Sequence, residues 1–340
     1  MRAVLRVAAS FLLLGLLGAP GISFAQSKVG TTIGQFLRIE PSARCAAMGN
    51  AGVALFDGIE SVYFNPGAIG VLSRPSIEIT HSPWFADITY DYAAGALPVR
   101  GWGTFFGSVT ALNSGDIDVR TVSQPLGTGE RYNVSDVAIG LGFGRPVTSK
   151  FATGAQITYA RERIWHTSQS FMTFNVGTVY RLTESGIKLG SGLSNMGTQS
   201  RFSGSDLAIL YDANPGEFGD NSALPADQLT DSFPVPLVFR VGLAVPRRVN
   251  PTNNVLLMLD ALHPNDNSEC LNTGAEWMWK ETLALRAGYQ SLFQTDSELG
   301  LTFGFGLKGA LGDNKYHLDY AWADHKHLNE THRLTLVVVF

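Results

Sequence analysis

Past its first residues the chain has no long apolar run, so no helix of the mature protein is expected to span a membrane. Cysteine is nearly absent: Cys45 and Cys270 are one pair in 340 residues, too few for a disulfide framework, and the sequence does not say whether they are bonded. Charge is also scarce, at 16% of residues, and 25 Lys and Arg against 29 Asp and Glu leave a formal charge of −4. Without a basic surplus, nucleic acid is excluded as a partner. No spacing of His, Cys, Asp and Glu resembles an EF-hand or a closed zinc site, and no cofactor is expected.

The chain does contain 37 glycines, 11% aromatic residues and a strict alternation of side chains. Leu334, Leu336, Val338 and Phe340 share one face of the last segment, as the strand period of two requires. A terminal strand ending in an aromatic residue is how outer-membrane barrels end, and Phe340 is read as the membrane-insertion signal. Val137, Ile139, Leu141 and Phe143 alternate with Ala138, Gly140, Gly142 and Gly144, giving one apolar face and one crowded with small residues. A soluble sandwich would instead present a charged outer face.

The pattern predicts strands near 76–81, 88–97, 103–113, 134–145, 152–166, 171–182, 187–195, 237–245, 255–262, 272–279, 283–289, 298–308, 315–322 and 332–340. These make an all-β, transmembrane antiparallel barrel of about 14 strands over 76–340. If the last strand ends at the periplasm, both long connections, 114–133 and 196–236, fall on the external side, as the short-turn, long-loop asymmetry of such barrels demands. Ahead of the barrel, residues 1–25 read as a cleavable signal peptide: Arg2 and Arg6, an apolar core, Pro20, then Ser23-Phe24-Ala25. Residues 26–75 lack the alternation. A barrel this wide leaves a lumen that side chains alone do not close, so 26–75 is expected to be a plug, or hatch, with a short helix capped by Ser42 that buries Ala46, Ala47 and Met48.

By parity, Arg240, Asp260, Glu276, Arg286, Lys308, His317 and Asp319 face the lumen. They suit a polar network that fixes the plug; the alternative is a ligand site in which Arg240 or Arg286 holds a carboxylate. Three weaker patterns fall outside the lumen. His166-Thr167-Ser168 invites a hydrolase reading but lacks a third group to orient the imidazole. His325-Lys326-His327 offers two imidazoles without fixed geometry, and the tryptophans Trp84, Trp102, Trp165, Trp277, Trp279 and Trp322 suit interface girdles. The chain is therefore expected not to be an enzyme.

Further phrases carry a resemblance. Phe36-Leu37-Arg38-Ile39, Ala43-Arg44, Met48-Gly49, Val53-Ala54-Leu55 and Tyr63-Phe64-Asn65-Pro66 precede His263-Pro264-Asn265-Asp266-Asn267, Arg286-Ala287-Gly288-Tyr289, Asp319-Tyr320-Ala321 and His332-Arg333. Together they resemble the PorV/PorQ family, relatives of the FadL-type transporters. That resemblance implies a fourteen-stranded outer-membrane barrel with an N-terminal hatch. It marks Arg44, Met48, Gly49, Asn65, Pro66 and Gly67 as the plug motif, and His263, Pro264, Asp266 and Asn267 as an external loop. Where the family reads Asn-Pro-Ala-Gly, this chain has Asn65-Pro66-Gly67-Ala68, and the expected acidic pair is reduced to Asp57-Gly58. Two functions follow from it: docking of secretion-system proteins or secreted cargo at the external loops, as in type IX secretion, or FadL-like transport of a hydrophobic ligand through the lumen. Outer-membrane lipid is the partner common to both.

Overall fold

The alternation closes on itself. A computed structural model describes residues 28–340 except 57, 217, 220–222, 295 and 296; the signal-peptide segment 1–25 lies outside the described residues. There are fourteen long strands: β1 Ser76–Pro83, β2 Thr89–Val99, β3 Gly103–Asn113, β4 Val134–Pro146, β5 Phe151–Ile164, β6 Thr167–Arg181, β7 Lys188–Gly197, β8 Val238–Asn250, β9 Asn253–Pro264, β10 Cys270–Trp279, β11 Leu283–Leu292, β12 Leu299–Leu311, β13 Asn314–His325 and β14 Thr331–Val339. Each pairs antiparallel with its sequence neighbour, and β14 returns to β1, with Ser76 opposite Val339 and His81 opposite Leu334. Closure leaves no long strand with an open edge, which is what a sheet surrounded by hydrocarbon requires.

Parity sorts the side chains as the sequence implies. In β1, Ile77 and Ile79 are exposed on the outside while Ser76, Glu78, Thr80 and Ser82 are buried inside. In β14, Leu334 and Leu336 face out and Thr331, Arg333, Thr335 and Val337 face in. An apolar outer wall around a polar interior is the reverse of a soluble β-protein and matches a lipid surround.

The connections keep the expected asymmetry. At the end where β14 finishes, the turns 100–102, 147–150, 182–187, 251–252, 280–282 and 312–313 are short. The opposite end carries 114–133 and 198–237, each with a small hairpin: Ile117–Asp118 with Arg131–Tyr132, and Ala208–Tyr211 with Leu224–Asp227. Cys45 and Cys270 are both free, buried in separate packing groups.

Candidate functional site

Residues 28–75 run down the inside of the barrel. At the long-loop end, the Ile33 amide donates to the Pro234 carbonyl at 3.0 Å. There the Asp266 carboxylate accepts Thr32 Oγ1 at 2.7 Å, Gln35 Nε2 at 2.6 Å and Arg38 Nη1 at 2.8 Å. Deeper in, a single helical turn, α1 Ala43–Ala46, lies against β12, β13 and β14. Ser42 precedes it but makes no side-chain cap bond, contrary to the expected capping; the Ala43 amide donates instead to Thr335 Oγ1 at 2.9 Å. The next amides are also taken by the wall: Gly49 donates to Thr302 Oγ1 at 2.9 Å, and Gly52 and Val53 both donate to Asp260 Oδ2, at 2.7 and 2.8 Å.

Small residues on the wall permit this close seating. A Cβ on Gly49, whose φ is +64°, would come within 2.5 Å of the Thr273 carbonyl and 2.6 Å of that of Tyr289. On the wall side, a Cβ on Gly190 would collide with the Val53 carbonyl. The turn α2 Ser61–Phe64 leads to Asn65, whose amide donates to Val53 O at 2.8 Å and Thr178 O at 2.9 Å while its Oδ1 accepts the Gly67 amide at 3.0 Å. The Pro66 carbonyl abuts Gly154, and a Cβ on Gly67 would strike the Gly177 carbonyl. That contact leaves no room for a side chain at 67. Gly70 then passes Arg145 at the short-turn end, and the chain enters β1.

Six of the charged side chains form one buried group. Arg44 clasps Glu276 with two hydrogen bonds, Nε to Oε2 at 3.0 Å and Nη2 to Oε1 at 2.9 Å. Arg286 donates to Glu276 Oε2 at 2.7 Å and to Asp319 Oδ1 at 2.6 Å. Glu60 lies 3.7 Å from Arg44, and Glu78 is buried on β1. Glu60 and Arg44 belong to the lumen segment; the other four belong to the wall. Glu276 has the paired geometry that makes burial of a charge tolerable, held twice by Arg44 and once by Arg286, whereas Glu78 Oε1 and Asp319 Oδ2 have no hydrogen-bond partner among the described residues.

The remaining expected lumen residues divide by depth. Asp260 serves the Gly52 and Val53 amides. Arg240 reaches Ser194 Oγ at 3.3 Å and lies 5.7 Å from the Tyr63 ring, beside a small cavity of about 40 Å³ that also meets Tyr90, Tyr92, Gln156 and Asn175. That is room for about one water. Lys308 and His317, paired in register, sit nearer the short turns and line a wide vestibule of about 850 Å³ that opens there.

Other expected features settle differently. Of the external-loop residues, His263 and Pro264 end β9 rather than lying in the loop, and Asp266 is turned inward and buried against the lumen segment. Asn267 accepts the Ser268 amide at 2.8 Å. Only the exposed His263, 3.0 Å from Glu269, faces a partner outside. Phe340 follows β14, its amide bonded to the Pro75 carbonyl at 3.0 Å. Trp84 is not in a girdle: its ring lies over the top of the lumen, 5.1 Å from the Arg333 guanidinium and 6.2 Å from His325.

His325 and His327 part company. The first is buried and bonded to Thr331 at 3.1 Å, the second hydrogen-bonded to Glu298, whose carboxyl it holds below its ordinary range. No group of metal ligands occurs among the described residues. His166 does have a carboxylate on its Nδ1, Asp206 at 2.9 Å, but Ser168 Oγ is approached by Arg161 at 3.3 Å. Sequence reasoning missed Glu78 and Arg333, although both obey the parity that found the others; it had no signal for the inward turn of Asp266.

No family model and no curated protein matches the sequence. Solved structures do share the fold. The toluene transporter TodX of Pseudomonas putida aligns at 13% identity over 88% of this chain and 96% of its own, with a TM-score of 0.54. A Pseudomonas aeruginosa FadL homologue aligns at 10% identity over 93% and 99%, TM-score 0.53. The monoaromatic hydrocarbon channel CymD aligns at 10% identity over 88% and 97%, TM-score 0.56. The chain thus has the FadL-type fold, a closed barrel of fourteen antiparallel strands. Membership of PorV/PorQ gains nothing from these comparisons.

Proposed function

We propose that the protein is an outer-membrane conduit for hydrophobic small molecules, with residues 28–75 as its hatch. The observation that supports it is the seating of that segment: its amides and Arg44 bind wall side chains at Thr335, Thr302, Asp260 and Glu276, and it takes no part in the strand ladders. The fold likeness supports the same reading, since TodX is a toluene transporter and CymD a hydrocarbon channel.

The test is to lock the hatch. A methyl of Val53 lies 2.6 Å from where a Cβ on Gly242 would stand, which places cysteines at these two positions within disulfide reach; the same Cβ would strike the Asp260 carboxylate, which must turn aside, and the reduced protein is the control for that displacement. Val53→Cys with Gly242→Cys, in a chain carrying Cys45→Ala and Cys270→Ala, should take up radiolabelled toluene when reduced and stop when oxidised. Equal uptake in both states would overturn the hatch.

A second reading, docking of secreted proteins or secretion components, is favoured by the external hairpin of 208–211 and 224–227, where Ile209, Leu210 and Tyr211 are exposed. Under it, removing 205–230 leaves the barrel inserted and abolishes partner capture; unchanged capture would rule it out.

A further inference from the structure

The vestibule at the short-turn end has a charge unlike the rest of the molecule. Outside the buried Arg44 group, the described residues lining it include Arg74, Lys188, Arg248, Lys308 and Lys315, with Glu281 as the opposing carboxylate; Arg74 donates to the Phe340 and Asp313 carbonyls. Arg247, in register with Val255 and through it with the outward Trp277, belongs to the outer face. A chain of net charge −4 therefore gathers five cations around one mouth. Arg248 makes no ion pair among the described residues. Between the cations the lining includes the apolar Leu55, Ile59, Leu256, Met278 and Val337, beside Arg44, Glu60 and Glu276 of the buried group.

How the cations are spaced decides what fits. They fall into two groups on the wall, Lys188 with Arg248 on β7 and β8, and Lys308 with Lys315 on β12 and β13. β8 and β12 are four strand intervals apart, about 19 Å along the wall at the usual strand spacing. One carboxylate or phosphate cannot reach both groups. An extended peptide advances about 3.3 Å per residue, so about six residues cover the span, with acidic side chains at the ends and apolar ones over the floor.

We propose that this vestibule is a docking site for an acidic, partly apolar peptide segment of a periplasmic protein. Short turns of outer-membrane barrels are periplasmic, which puts the site on the side to which the conduit would deliver; the proposal goes beyond the conduit reading without depending on it. Opposite charge across a partly enclosed mouth steers such a partner and makes binding sensitive to salt, because screening acts over about 10 Å at 0.1 M ionic strength.

The experiment uses the full chain in detergent micelles and a fluorescein-labelled hexapeptide with glutamates at both ends and two central leucines, read by fluorescence anisotropy. Saturable binding is expected that weakens at least tenfold in the Arg248→Ser, Lys315→Ser variant and with the glutamine version of the peptide. The unaltered protein supplies an independent reading: affinity should fall steadily as salt rises. Equal affinity for the glutamine peptide, binding indifferent to salt, or an unchanged variant would each overturn the site. Displacement of the peptide by octanoate at matching concentration would also overturn it, and would assign the vestibule to small organic anions instead. Toluene uptake is measured separately, so the failure of one proposal leaves the other standing.

Discussion

Glu276 holds two guanidinium groups that come from different parts of the chain, Arg44 from the lumen segment and Arg286 from β11. Removing its charge leaves both buried cations short of a partner, and breaking a buried pair in this way costs about 3–5 kcal/mol. Glu276→Gln is therefore expected to lower the guanidinium unfolding midpoint in detergent, whereas a like substitution of the exposed Glu184 should change it little, as surface pairs contribute about 0–1 kcal/mol. Gly67→Ala belongs at the same scale. Its methyl would strike the Gly177 carbonyl, so the variant should lose stability, with overpacking costs of about 1–3 kcal/mol. The two substitutions also mark what a residue's letters can tell. Glu276, Arg286 and Asp319 were legible because parity along a strand fixes the side on which a side chain lies. Asp266 was not: it sits in a turn, where no period applies, and only the fold shows that it binds Thr32, Gln35 and Arg38.

At the scale of elements, the lumen segment and the wall are held by different bonds. The strands keep their ladders without it, while the segment depends on side chains such as Asp260, which accepts two successive amides. Asp260→Ala removes both acceptors and leaves buried N–H groups unsatisfied, at about 1–3 kcal/mol each. Hydrogen exchange should then speed up at Gly52 and Val53 while the amides of β9 and β10 keep their protection; loss of protection throughout the barrel would show the segment and wall to be one cooperative unit. Strand number, order and closure were readable because lipid enforces a period of two over the whole wall. Depth within the lumen was not, since Lys308 and His317 share the inward face with Asp319 yet lie closer to the short turns. The course of 28–75 was unreadable for another reason: its few short helical turns and irregular stretches have no period, and close backbone approach to wall glycines sets its path.

For the whole molecule, the decisive property is that the wall closes through its own strands alone. All fourteen strands pair with two neighbours, and none of those pairings passes through residues 28–75. Within the wall, however, β4, β7, β8, β10, β11 and β12 carry glycines on their inner faces, and a barrel of about fourteen strands with small inward residues encloses more space than side chains can occupy. A variant lacking 28–72 should still insert and resist unfolding by detergent at low temperature, because its outer apolar face and its ladders are unchanged. In planar bilayers it should pass ions in discrete steps that the complete protein does not show, since water would fill the lumen that the segment occupies. A deletion variant that inserts yet remains electrically silent would mean that the wall collapses inward, and closure of the lumen would then be a property of the barrel rather than of residues 28–75.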